Sequence, residues 1–135
     1  MFMFMLDTDI CIYIIKRKPA NVSIRLARMK PGHLSMSAIT FAELMNGAKK
    51  SQHVAANLEK LIALGELIEI KPFDKRAAEC YGDIRSILEK RGKTIGGYDL
   101  LIAAHALSLG CTLVTNNERE FRRVQGLKIE NWAKD

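Results

Sequence analysis

Carboxylates at the ends of apolar segments are the residues of this chain whose type and spacing could do chemistry. Asp7 and Asp9 stand two apart in Leu6-Asp7-Thr8-Asp9. Asp7 alone would make a good helix N-cap. A second carboxylate beside it is more than capping needs, because like charges that close repel unless a cation sits between them. Glu43 lies in Ile39-Thr40-Phe41-Ala42-Glu43-Leu44, where Thr40 and Glu43 match a capping box, the reading these residues favour by themselves. It is nonetheless the lone acid in the first turns of an apolar helix. Asp99 follows Gly96-Gly97-Tyr98 and precedes the apolar run Leu100–Ala104. As an N-cap or first-turn residue it would complement the helix dipole, and the two glycines allow a close approach of a substrate to the backbone. Glu118 and Glu120, in Asn116-Asn117-Glu118-Arg119-Glu120, read alone as a solvated turn of mixed charge.

Other chemistries lack their residues. His33, His53 and His105 are isolated from any Cys or carboxylate at metal-ligand spacing, and His105, on an apolar helix, reads as a satisfied core histidine. Cys11, Cys80 and Cys111 are far apart and odd in number, which argues against a disulfide framework or a structural zinc site and fits a reducing, cytoplasmic setting. No Walker loop, dinucleotide fingerprint or nucleophile elbow is present.

The elements that must position the acids follow from apolar periodicity and from breakers. Met1–Leu6 has buried-strand length, and Thr8–Lys16 has Ile10, Ile14 and Ile15 at helical spacing before Pro19. Ala20–Lys30 predicts a helix stopped by Pro31-Gly32, His33–Ser37 a strand, and Ala38–Lys50 and His53–Leu64 two helices, the second ended by Gly65. Leu67–Ile70 predicts a strand, and Asp74 caps a long helix reaching Lys90. Gly92–Tyr98 is a loop, Asp99–Ser108 a helix, Cys111–Thr115 a strand, Glu118–Arg122 a helical turn and Leu127–Ile129 a last strand. Short apolar strands separated by helices imply βα crossovers and a parallel sheet covered on both faces. Ligands of such sheets bind beyond the carboxyl ends of the strands, where all four acidic places fall.

A chain of 135 residues, 48% hydrophobic and 27% charged, is globular in composition, and residues 1–135 read as a single domain. Lys plus Arg number 21 against 15 Asp plus Glu, a net charge of +6 that points to a polyanionic partner. Lys16–Lys18, Lys90-Arg91 with Lys93, and Arg119 with Arg122-Arg123 are basic clusters suited to phosphate-binding rims. The apolar N-terminus carries Asp7 and Asp9 inside it and its basic run only afterwards. That order is wrong for a signal peptide or a span, so no membrane role is expected.

Taken in order, these segments resemble a known family. Met5-Leu6-Asp7-Thr8-Asp9 is similar to the opening motif of PIN-domain nucleases, and Ser37–Leu44 to their second motif. Tyr98–Ala106 resembles the third motif and Val114–Phe121 the fourth, and the similarity extends to the tail Gly126–Trp132. Within the family the chain looks most like the VapC toxins of bacterial toxin–antitoxin pairs. The resemblance implies a three-layer α/β/α sandwich with a four- to five-stranded, mostly parallel sheet. It further implies Asp7, Glu43 and Asp99 as catalytic and metal-binding acids. Two departures stand out: Asp9 where the family usually has Asn, and Asn117 where many relatives carry Asp. Glu120 therefore takes the fourth acidic role, with Glu118 as the competing candidate and Asp9, Thr115, Asn116 and Asn117 as auxiliaries.

The function so implied is cleavage of RNA with Mg²⁺, or Mn²⁺, held by the carboxylates, since oxygen-rich sites suit these hard ions. The resemblance extends to initiator tRNA as substrate, cut in its anticodon stem-loop to leave a 5′-phosphate and a 3′-hydroxyl and so stop translation. It also implies a homodimer, and a VapB antitoxin whose arm covers the acidic pocket and through whose DNA-binding domain the complex binds operator DNA. Two other readings compete. One is a non-cleaving RNA- or partner-binding module of the same fold. The other is a haloacid-dehalogenase-type phosphatase, whose D-x-D is mimicked by Asp7-Thr8-Asp9, although Cys11 and the missing late Gly-Asp motif depart from it.

Overall fold

The computed structural model describes residues 3–134. Strand β1 (Phe4–Leu6) leads through Asp7 into helix α1 (Thr8–Lys16), followed by α2 (Ala20–Ala27) and a 3-10 turn at Pro31–His33. Strand β2 (Leu34–Ser37) runs directly into α3 (Ala38–Lys49), then α4 (Val54–Leu67) and β3 (Glu69–Lys71). The second half comprises α5 (Lys75–Lys90), α6 (Gly97–Leu109), β4 (Thr112–Val114), the short α7 (Glu118–Phe121) and β5 (Ile129–Glu130).

The five strands lie in the order β3-β2-β1-β4-β5, and every pairing is parallel. The chain therefore starts at the centre, builds outward through β2 and β3, then returns to build β4 and β5 on the other side. This reversal places a topological switch point between β1 and β4, the place where an open parallel sheet leaves a crevice beyond its carboxyl ends. Met5 faces Leu113 and Leu6 faces Val114 in register.

Two-residue alternation along these strands makes three layers. Met5 and Leu113 point into one core, shared with Ile84 and Leu88 of α5, with Leu100, Ile102 and Ala103 of α6, and with Phe121. Leu6 and Val114 point into the other, shared with Ile10, Val22, Leu44, Leu61, Leu64 and Trp132. Full burial of each large apolar side chain contributes about 1.5–3 kcal/mol. Trp132, beyond β5, is fully buried, meets Phe4 edge-on at 5.7 Å between ring centroids, and donates its Nε1–H to Glu130.

The three-layer parallel expectation holds, and several boundaries move. Helix α4 does not stop at Gly65 but runs on to Leu67, so its strand begins at Glu69. Leu61, Leu64 and Ile68 bury at helical spacing, and that burial outweighs the roughly 1 kcal/mol helix cost of a glycine. Helix α2 ends at Ala27, three residues before the expected Lys30. Helix α6 starts at Gly97 with Gly96 as its N-cap, so Asp99 is a first-turn residue rather than a cap. The last strand is Ile129–Glu130 instead of Leu127–Ile129, because the backbone is still turning at Gly126 (φ 86°) and Leu127 donates back to Val124. Of the expected strand Met1–Leu6, Met1 and Phe2 lie outside the described residues.

Candidate active site

Asp7 sits where β1 ends at the switch point, and its backbone N–H still donates to Val114 of β4 at 3.0 Å. Its carboxylate does cap α1, accepting from the Ile10 N–H at 2.9 Å. Capping does not satisfy it. Burial pushes its pKa up to about 7, against hydrogen bonds from the Thr115 hydroxyl and the Ile10 N–H, and the charges of Asp9 and Asp99 push the same way. Thr115, fully buried at the end of β4, accepts in turn from the Asn117 N–H at 2.9 Å.

Glu43 corrects the capping-box reading. The N-cap of α3 is Ser37, whose Oγ accepts from the Ile39 N–H, because β2 passes straight into the helix there. Thr40 is therefore inside the helix and fully buried. Glu43, one turn further on, accepts the Thr8 hydroxyl at 2.6 Å across the α1–α3 junction. Thr8 was no site candidate in the sequence, its only signal being its place between two aspartates.

Asp99 arrives from the opposite side. Because α6 runs back toward the amino edge of the sheet to feed β4, its N-terminus lies at the carboxyl edge, and so does its first turn. Burial raises the Asp99 pKa, and the charges of Glu120, Glu43 and Asp9 raise it further, while the Asn117 side chain donates a hydrogen bond that lowers it. Asp7, Asp9, Glu43, Asp99 and Glu120 thus share one electrostatic neighbourhood although they come from β1–α1, α3, α6 and α7. None of the five forms an ion pair among the described residues. An uncompensated cluster of hard oxygen donors fits a divalent cation in chemistry. Among the described residues no three side chains of ligating type are already drawn into a ready-made cage.

The remaining candidates separate by contact. Glu118 points away: it pairs with Arg122 and Lys134 at 2.9 Å and accepts from Asn131, contacts that hold its carboxyl at about 2. Asn117 donates to Asp99, whereas Asn116 faces solvent and binds the Tyr13 hydroxyl and Asn131. Asp9 is exposed and lines a cleft of about 460 Å³ with Thr8, Glu43, Asn46, Lys50 and the exposed ring of Tyr98. Nothing in the pattern around Lys50 marked it in the sequence, and Tyr98, although it opens the third motif, receives no role there. His105 is the core histidine expected, buried and hydrogen-bonded through Nδ1 to Ser37 Oγ at 2.7 Å. Among the described residues no helix is long and apolar enough to cross a membrane.

The PIN-domain family model matches residues 4–127, which span all four acidic segments. The chain belongs to the PIN-domain family. This PIN domain is 44% identical over 133 residues to the tRNA(fMet)-specific endonuclease VapC of Shigella flexneri, covering 98% of the chain and 100% of that protein. Among solved structures it superposes on the DNA-bound VapBC of Salmonella typhimurium with a TM-score of 0.92 and 41% identity over 98% of this chain and 99% of that one. VapBC2 of Rickettsia felis, bound to a DNA fragment from the promoter, gives a TM-score of 0.91 at 39% identity, covering 97% and 99%. These likenesses place this PIN domain among the VapC proteins, and they supersede the phosphatase alternative raised by Asp7-Thr8-Asp9.

Proposed function

We propose that this PIN domain is a Mg²⁺-dependent endoribonuclease, the toxin of a toxin–antitoxin pair. The observation that carries the reading is the convergence of Asp7, Glu43 and Glu120 on Asp99 at the switch point, with none of the four ion-paired among the described residues. Asp7, Glu43, Asp99 and Glu120 would hold Mg²⁺, or Mn²⁺ in its place. An ion that keeps several waters and takes oxygens from one or two carboxylates and a substrate phosphate does not need a closed protein cage. When bound it supplies positive charge for the scissile phosphate and acidifies a water molecule.

The chain's own residues supply position and proton capacity. Thr8 orients Glu43, Asn117 orients Asp99, and Thr115 with the Ile10 N–H orients Asp7. Asp7, pushed up to about 7 by burial in the metal-free chain, would give up its proton on taking a cation, so metal binding there would be linked to pH. The first turn of α6 adds the positive end of its dipole beside Asp99 and the incoming phosphate.

By similarity to the tRNA(fMet)-specific endonuclease VapC, the substrate is initiator tRNA; cleavage in its anticodon stem-loop follows from the family resemblance. By similarity to the DNA-bound VapBC complexes, the partner is a VapB antitoxin and the complex binds promoter DNA; the homodimer and DNA binding through the antitoxin follow from the family resemblance. An antitoxin arm that placed an Arg among these carboxylates would supply the missing cation and displace the metal.

The test is incubation of the purified chain with tRNA, with and without Mg²⁺, beside Asp99→Asn. Metal-dependent cleavage by the wild type, reduced by about 10²-fold or more in the variant at unchanged folding, is the expected outcome. Binding without cleavage would leave the non-cleaving module standing, and full activity of Asp99→Asn would discard the metal site.

A further inference from the structure

A second pocket, of about 320 Å³, is lined by Leu88, Arg91, Lys93, Arg119, Arg122 and Arg123. Five of its six lining residues are cationic and none is acidic. Among the described residues only Arg122 is ion-paired, with Glu118, and Arg123 donates to the Thr94 carbonyl at 2.8 Å, pinning α7 to the loop after α5. The floor is Leu88, 2% exposed. Two basic segments some 28 residues apart in sequence are thus held together over an apolar base. Such like-charge convergence is unfavourable unless an anion offsets it.

The placement identifies the anion. The loop that carries Arg91 and Lys93 continues into Asp99, and the turn that carries Arg119, Arg122 and Arg123 also carries Glu120. Arg119 and Glu120 are adjacent, with Cα atoms about 3.8 Å apart. Each of the two segments therefore presents acids to the crevice and cations to the pocket. A polymer whose scissile phosphate lies at the acids would carry its neighbouring phosphates over the cations. We infer that this basic pocket is a subsite for backbone phosphates of the RNA flanking the cleaved bond. The inference rests on the reading of the chain as a ribonuclease.

The experiment measures binding of a labelled RNA hairpin by fluorescence anisotropy in chelator, where no metal-dependent cleavage occurs, over a range of salt. Arg91→Gln with Arg119→Gln is compared with Arg28→Gln and Lys30→Gln, cations that precede β2 at the opposite edge of the sheet. The pocket pair is expected to weaken binding about tenfold or more and to flatten the slope of log K against log[salt] by about 1.5–2, with the remote pair close to wild type. Equal losses in both pairs, or none in either, would overturn the subsite. Poly-glutamate binding that depends on the pocket while RNA affinity does not would reassign the pocket to an acidic protein. Displacement of RNA by inorganic phosphate at equal phosphate concentration would make it a free-phosphate site, and either result overturns the inference. Because binding is read without cleavage, a wild type that binds RNA through the pocket yet never cuts it would refute the proposed ribonuclease alone.

Discussion

The Thr8 hydroxyl donates to Glu43 Oε1 at 2.6 Å, joining the first turn of α1 to the second turn of α3. This one hydrogen bond sets the direction of an acid that would otherwise swing freely over the cleft. Thr8→Val keeps the shape and removes the donor. It should slow metal-dependent RNA cleavage by about tenfold, the scale of losing an outer partner of a ligating group. The stability loss should stay at about 1–2 kcal/mol. Thr8→Ser, which keeps the hydroxyl, should restore the rate, and a rate that follows stability in both variants would reduce Thr8 to a packing residue.

Asp7 makes stability depend on pH in the metal-free protein. Its pKa rises from 3.8 to about 7 on folding, so the folded state holds its proton where the unfolded state has lost it. The favourable contribution is complete below pH 3.8 and is lost as pH climbs toward 7, at about 1.4 kcal/mol per unit. His105, whose pKa is lowered by burial, acts in the opposite sense at acid pH, so the test is a difference. In chelator, the gain in stability of Asp7→Asn over wild type should grow from pH 4 to pH 7 and then level off. A constant difference across denaturant titrations at those pH values would refute the assignment.

Glu118 and Glu120, two residues apart, should fail differently. Glu120→Gln removes a charge that acts on Asp99 and should cut the rate with little effect on melting. Glu118→Gln weakens contacts to Arg122, Lys134 and Asn131 and should lower the melting temperature while leaving cleavage unchanged. Cleavage assays and thermal scans on the two variants, run together, decide which acid belongs to the site; the reverse pattern would exchange their roles.

Asp9 adds negative charge beside Asp7 and Asp99. Asp9→Asn should therefore raise the Mg²⁺ concentration needed for half-maximal cleavage, by about two- to fivefold for an exposed charge in high dielectric. Superimposable metal titrations would show Asp9 to be incidental.

Much of this molecule is local and was therefore legible in one dimension. The short apolar run at β1, the alternation of Leu34 and Met36 in β2 and the helical spacing of Ile10, Ile14 and Ile15 in α1 mark strands and helices, and a parallel sheet with helices on both sides follows from their order. The acids at strand and helix ends, and Asp7 as a cap, needed no tertiary contact to be noticed. What each acid does was not local. Whether Ser37 or Thr40 caps α3 depended on where β2 stops pairing with its neighbours, and that decided whether Glu43 was a cap or a site residue. Glu118 was separated from Glu120 by the C-terminal tail, whose Asn131 and Lys134 reach back to one carboxylate and leave the other facing Asp99. The basic pocket, too, needs residues 91–93 and 119–123 brought together, by the Arg123 bond to the Thr94 carbonyl and by the shared core of Leu88, Ile95, Phe121 and Val124. Long-range pairing carries no periodicity of its own, so the direction in which a charged side chain points was settled by the folded chain alone.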